Sequence, residues 1–543
     1  MSLARIRIRC RPSQRSKKLH GLLSTTVFTI AFIMLQIMPA SAGEAWFDLK
    51  LPDNHQRRSD ANRAAYLSPD LASLPLALPA DANADAALNG TAVYSYLRDI
   101  VAITLEHQPA GQKYRGRIAG NAAEQATADY LADQMRAFGL TDVHTETVQG
   151  GRQWWPEDWQ VTLIGDSAYG NGTTDYTFTS AFPAVQLEAG AMDVQDLEAE
   201  LVYVGLGRPV DLLAHDLSGK IAVVHSVLQS DPFFQSARGH IEKIVQAGAI
   251  AVITVVDGPG NHQYALEQVG SDEAPCFLLG GHDGRFLEAA IAAAGKEQPL
   301  RARISMRASV RESWLGKNVL GLVPGRSDEY LLITAHLDGY FEGANDNAGG
   351  LAAMLALAQY FSDPDRIPPE RNLLFVGTSA HHEFSDGAKA FINDHPEIVA
   401  KAVLVLNIEH PSSLLSYFRG PLKMSRGTVP GQLVTTNSQG WRTLTISNGN
   451  ERVLSFFQAA AARYGVVIEG TVNRRPNGDA YDFFKARIPV VQLMDANLWF
   501  HSSGDQLDTI SPAGLERTTR LFADVINGID DASATELGRR KRK

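Results

Sequence analysis

Tyr330-Leu331-Leu332-Ile333-Thr334-Ala335-His336-Leu337-Asp338-Gly339, followed closely by Gly343-Ala344-Asn345-Asp346-Asn347, sets one imidazole and two carboxylates among glycines at the end of an apolar run. The run from Tyr330 to Ala335 is β-prone and carries no charge, which predicts a buried strand. His336 and Asp338 then fall at its C-terminal end, where open α/β sheets gather their ligands. Gly349-Gly350 and the helical pattern from Leu351 to Tyr360 place Asp346 at or near a helix start. An imidazole and carboxylates with small residues between them have the composition of a metal site. A lone His-x-Asp at a strand end is more often structural than catalytic, so the decision rests on the rest of the chain.

Five further stretches bear on it. Arg117-Ile118-Ala119-Gly120-Asn121 precedes an amphipathic run from Ala122 to Leu140, and Asn318-Val319-Leu320-Gly321-Leu322-Val323-Pro324-Gly325 reads as a strand and turn. Downstream come Phe375-Val376-Gly377-Thr378-Ser379-Ala380-His381-His382-Glu383-Phe384-Ser385-Asp386-Gly387-Ala388, then Leu406-Asn407-Ile408-Glu409-His410, then Phe500-His501-Ser502-Ser503-Gly504-Asp505-Gln506-Leu507-Asp508. In this order they resemble the co-catalytic zinc exopeptidases of the aminopeptidase and glutamate-carboxypeptidase type. Motifs of that family read roughly AHxDS, GAxDNxSG, FxxxxAEExGLxGS, NxD and YHTxxD. The resemblance covers most of residues 95–530 and implies an α/β fold, a mixed central sheet flanked by helices.

Carried over residue by residue, the resemblance makes His336 a terminal ligand, Asp346 the bridging carboxylate and His501 the terminal ligand of a second ion. Asp338 matches the carboxylate that orients the ligand histidine, a role that fixes its tautomer. An ungapped alignment on Ala380 and Gly387 sets His381 and His382 where the family has Glu-Glu, the first a general base and the second a ligand. An imidazole at 382 ligates zinc as readily as a carboxylate does. His381 is the expected base, since an imidazole titrates near neutrality, with Glu383 as its rival. Glu409 stands where the family reads NxD and is the remaining expected ligand, while His410 is expected as a packed neighbour. Exchanging Glu for His removes ligand charge, so one or two zinc ions per chain are expected, the second held less tightly. Phe500 replaces a tyrosine and offers no hydroxyl to an oxyanion.

At 543 residues the chain is long enough for two or three units. Residues 1–20 carry seven Arg and Lys and no acid, followed by the apolar run Leu22 to Met38 and the small residues Ala40-Ser41-Ala42. That is the pattern of a secretory signal peptide, so the protein is expected in the periplasm or outside the cell, with no stable membrane insertion after cleavage. Without it the rest is seven units more acidic than the full chain's −10, which argues against nucleic acid as a partner. Cys10 leaves with the leader and Cys276 remains alone, so no internal disulfide forms.

Residues 43–94 read as a lead-in, 95–184 as a first part of the peptidase domain, 306–535 as its second part and 536–543 as a basic tail. Between 185 and 305 the pattern shifts to short strands: Ala199 to Gly205, Asp216 to Val224, and Gly239 to Gly248 leading into Ala249 to Ile253. These resemble an inserted, smaller β-rich protease-associated domain. In relatives such a domain shapes substrate access or subunit pairing, which leaves a homo-oligomer open, and it is expected to supply no ligand. Pro411 to Asn450 reads as a loop over the site. The expected function is hydrolysis of a peptide or acylated amino acid at an amide bond by metal-activated water, in the manner of an aminopeptidase. The alternative is a catalytically silent binding protein of the transferrin-receptor kind. Retention of a metal-competent side chain at every ligand position favours the enzyme.

Overall fold

The computed structural model describes residues 77–539, apart from 166–173, 185–188, 228–236, 238, 259, 267–268, 296, 420–421, 425–426, 430–431, 441, 473–474 and 496–497, together with the short strands Ala45–Trp46 and Leu49–Lys50. The leader at 1–42, most of the lead-in and the end of the basic tail lie outside the described residues.

The main sheet has eight strands: β1 (Thr141–Gly150), β2 (Trp314–Val323), β3 (Tyr330–His336), β4 (Asn372–Thr378), β5 (Ala402–Ile408), β6 (Arg442–Ile446), β7 (Ile468–Val472) and β8 (Val490–Asp495). Their order is β7-β6-β8-β5-β3-β4-β2-β1. Strands β3, β4, β5 and β8 run parallel, while β2 and β6 are antiparallel to their inner neighbours, so the sheet is mixed. The β3 run is buried from Leu331 to His336, as its apolar sequence requires. The C-terminal ends of the four parallel strands lie on one edge, and the site residues follow directly from them.

Five long helices cover this sheet: α1 (Gly90–Glu106), α2 (Ala122–Ala137), α3 (Gly350–Ser362), α4 (Glu451–Tyr464) and α5 (Pro512–Ile529). Helix α3 is apolar nearly all round, and Leu351 to Ala358 are all buried. A helix of that composition is stable only when enclosed, and it belongs to the same core as β3, α1 and α5. Each large apolar side chain enclosed there contributes about 1.5–3 kcal/mol. Side-chain caps fix the starts of α2 (Asn121), α4 (Asn450) and α5 (Ser511), as such residues do at N-termini.

A second eight-stranded sheet takes its strands from Gln153–Leu163 through Arg301–Arg311. It is therefore wider than the expected 185–305. Gln153–Leu163 pairs with Arg301–Arg311 in this sheet, just as β1 pairs with β2 in the main one, so a two-stranded ribbon runs from one sheet into the other. Only Gly151 and Arg152 separate the two strands of the outgoing chain, too short a break to read as a boundary. Residues 411–450 likewise differ from the expected loop: they include Leu414–Arg419 paired with Gln432–Gln439, and the central-sheet strand β6. No helix among the described residues is long and apolar enough to cross a membrane.

Glu124, buried in the first turn of α2, accepts from the Gly120 N–H at 2.9 Å and contacts the Ser379 hydroxyl. Burial raises its pKa from 4.5 to about 8. The folded protein thus keeps a proton that the unfolded chain releases at lower pH, and stability falls as pH rises from the unfolded toward the folded value. Glu124→Gln keeps the shape and has no proton to lose. Melting curves between about pH 5 and 9 should decline less steeply in the variant, the gap reaching on the order of a few kcal/mol at the upper end. Parallel pH profiles would contradict this account.

Candidate metal centre

Local backbone geometry brings the side chains together. Strand β3 ends in His336, whose Nδ1 lies 3.0 Å from the Asp338 carbonyl oxygen. Donation of the Nδ1 proton there leaves the Nε2 lone pair facing Asp346, with Nε2 3.2 Å from Asp346 Oδ1. The Asp338 carboxylate sits farther from the ring, 3.6 Å from Nδ1, and instead accepts the backbone N–H groups of His381 and His382, each at 2.9 Å. The expected orienting role for Asp338 is thus divided: its carbonyl holds His336, and its carboxylate holds the turn after β4. That turn begins at Ala380, which has a left-handed φ of +59°.

Asp346 is the focus. His410 Nε2 lies 3.0 Å and His336 Nε2 3.2 Å from its Oδ1, while His501 Nε2 lies 3.1 Å and His382 Nε2 3.7 Å from its Oδ2. The backbone N–H groups of Asn345 and Asp346 donate to Asp505, at 2.9 and 3.0 Å, which fixes the carboxylate's approach. Of the residues singled out in the sequence, His336, Asp346, His382 and His501 meet here, and Glu409 joins His336 and His410 in a second potential ligand group. His410, expected as a packed neighbour, stands among the donors. Tyr340 lines the same space, its ring 4.6 Å from His382 and 4.9 Å from His501.

The other two singled-out residues lie apart from Asp346. His381 stacks on His336 at 4.0 Å, with Nδ1 3.3 Å from Asp479 Oδ1 and Nε2 3.6 Å from Glu409 Oε1. Glu409 Oε2 accepts from Gln492 Nε2 at 2.8 Å. Glu383 accepts from Gln153 Nε2 at 3.0 Å through Oε1. Asp479, Asp505 and Gln492 had no assigned role in the sequence; Asp505 alone lay in a stretch already marked, three residues after Ser502.

The electrostatics favour positive charge. Burial would lower the His336 imidazole, but Asp338 and Asp346 outweigh it and raise its pKa to about 10. Burial is likewise overcome at His410 by Asp346, and at His381 by Glu409 and Asp479, both reaching about 9. Asp346 is held well below the usual carboxylate range, against its burial, by His410, His336 and His501. A buried pocket that holds protons this firmly also suits a cation that displaces them. His336 Nε2 and Asp346 Oδ2 are enclosed and satisfied by no hydrogen bond within the protein. Nitrogen donors grouped around one shared carboxylate fit a borderline dication.

Residues 318–526 match peptidase family M28. The chain is 29% identical over 120 residues to the alkaline phosphatase isozyme conversion protein of Escherichia coli, a match covering 18% of this chain and 34% of that protein. The chain thus spans about a third of the length of the curated relative it matches. Its fold is similar to a peptidase M28 precursor from Shewanella amazonensis (TM-score 0.60, 19% identity, 81% of this chain and 96% of that one). It is also similar to a zinc aminopeptidase from Bacillus subtilis (TM-score 0.57, 19% identity, 83% and 98%). The α/β fold expected from the motifs is therefore the fold observed.

Proposed function

We propose that the chain is a zinc-dependent exopeptidase of the aminopeptidase kind, exported from the cytoplasm, acting on an amide bond of a peptide or acylated amino acid. The observation that carries this reading is the sharing of one buried carboxylate by four imidazoles, two on each oxygen. His336, His410 and Glu409 would hold zinc beside Asp346 Oδ1, and His382 and His501 beside Oδ2. Bound there, zinc supplies a Lewis acid for the scissile carbonyl and acidifies a water. Asp338 keeps the His381–His382 turn in register with β3, and Asp505 keeps Asp346 between its partners. His381, braced by Asp479 on Nδ1, accepts a proton at Nε2, with Glu383 the rival acceptor. Phe500 lies flat on His501 at 3.7 Å and gives no hydroxyl to a developing oxyanion.

Export is supported by the basic and apolar composition of residues 1–42. A protease-associated identity for the second sheet is supported by Ile221–Ser226 and Ala251–Val256, strands that fall on stretches resembling that domain. The likeness to a zinc aminopeptidase supports zinc and the amino-terminal preference. Elemental analysis of chelator-free protein should find between one and two zinc per chain, the second removed first. A screen of aminoacyl and acyl-amino-acid amides should find turnover, fastest on substrates with a free α-amino end. Protein that neither carries nor takes up a transition metal would leave the silent binding protein as the reading.

A further inference from the structure

The second sheet was expected to contribute no ligand, and no side chain from it stands among the described donors. Its backbone, however, reaches the centre. His501 adopts a left-handed φ of +52°, a conformation that a non-glycine residue keeps only under outside restraint. That restraint comes from the loop after Ala251–Val256. The Ala265 N–H donates to the His501 carbonyl at 2.8 Å, and the Ser503 N–H donates to the Gln263 carbonyl at 2.9 Å. The Gln263 N–H donates to Ser503 Oγ at 3.1 Å, and Tyr264 and Ser502 face each other as antiparallel bridge partners. His501 therefore sits within a small two-stranded patch with one side supplied by the second unit, the part of the chain built on the second sheet.

The supplying loop is itself anchored. Asn261 Oδ1 accepts from the Asp283 N–H at 2.9 Å, at the start of helix Gly281–Ala294. The loop lies so close to Gly280 that a Cβ there would be 2.5 Å from the His262 carbonyl oxygen. On the far side of His501, Asp505 receives the backbone N–H groups of Asn345 and Asp346. Contacts thus run from that helix through the Asn261 side chain, the 263–265 strut, His501 and the Asp505 carboxylate to the Asp346 backbone.

We propose that residues 261–265 of the second unit are a positioning strut for His501, so that retention of the metal ion on the Asp346 Oδ2 side depends on that unit. The inference rests on the reading of His501 as a ligand. It goes beyond a role in substrate access or subunit pairing, because it couples the second unit to the metal itself.

The test uses the full-length protein, loaded with zinc, with zinc affinities measured by chelator competition and folding by circular dichroism and melting temperature. Ala265→Pro removes the N–H donated to His501. The more weakly held zinc should bind about 10- to 100-fold less tightly, the range for losing a group that orients a ligand, while the tighter ion is unchanged. A folded Ala265→Pro protein with wild-type affinity for both ions overturns the inference. If that variant does not fold, Asn261→Ala, which loosens the strut at its base, decides in the same way: weaker binding of the second ion supports the strut and wild-type binding overturns it. His501→Ala separates this result from a failure of the underlying reading. Undiminished zinc binding in His501→Ala withdraws the ligand assignment and the inference with it, whereas loss there beside wild-type binding in the strut variants overturns the inference alone.

Discussion

Asp346→Asn should strip both metal ions and, with them, reduce hydrolysis by at least ~10⁴-fold, about 5 kcal/mol of lost transition-state stabilisation. Each carboxylate oxygen faces two imidazoles, at 3.0 and 3.2 Å on Oδ1 and at 3.1 and 3.7 Å on Oδ2. Asparagine keeps the shape but removes the charge, and it presents an amide NH₂ to one pair of ring nitrogens. Removing a group that merely orients a ligand costs about 10–100-fold in affinity, so losing the ligand common to both ions costs more than that for each. Asp505→Asn is the informative contrast. Asp505 touches the backbone N–H groups of Asn345 and Asp346 and not the ring nitrogens described above, so its variant should stay within the 10–100-fold range. Elemental analysis after dialysis, with kcat/KM measured on the same samples, distinguishes the two. Full zinc content in Asp346→Asn would mean that the imidazoles around it are a packing feature.

Local backbone conformation explains why part of the centre was legible in the sequence and part was not. Strand β3 could be read because a charge-free β-prone run ending in His336 has few alternatives, and the order of the motifs around it specified the fold. His410 could not be read the same way. In a regular strand, neighbours such as Glu409 and His410 point to opposite faces, so only one of them belongs to a given site. Here the chain has left strand geometry: His410 has a left-handed φ of +46°, and both residues reach the His336 group. The part played by the Asp338 carboxylate was hidden for a related reason. Its partners are backbone N–H groups of a turn created by the left-handed Ala380, and neither carries a signature in residue type. The reach of the second sheet back to residue 153 was hidden because two residues suffice to pass between the sheets.

The His381–His382 pair is where sequence and geometry together make the sharpest division of labour, and the two alanine variants should differ in kind. His382 Nε2 faces Asp346 Oδ2, so His382→Ala should lower zinc content and rate together. His381 faces away from Asp346, toward Glu409 on one nitrogen and Asp479 on the other, so His381→Ala should keep its zinc and lose ~10²- to 10⁴-fold in kcat, the usual contribution of a positioned base. Position matters as much as presence. Gly478 has a φ of +53°, and a Cβ on it would come within 2.2 Å of His381 Cε1. Gly478→Ala should therefore displace the ring and reproduce a rate defect without metal loss. Asp479→Asn should show the same kind of defect more weakly, since it removes only the group that holds Nδ1. Glu383→Gln completes the set: its Oε1 already accepts from Gln153, and the variant should remain near wild type. A large kcat loss in Glu383→Gln beside an active His381→Ala would transfer the base to Glu383. Full activity and unchanged zinc in the double His381→Ala, His382→Ala protein would reduce the pair to a structural feature of the turn after β4.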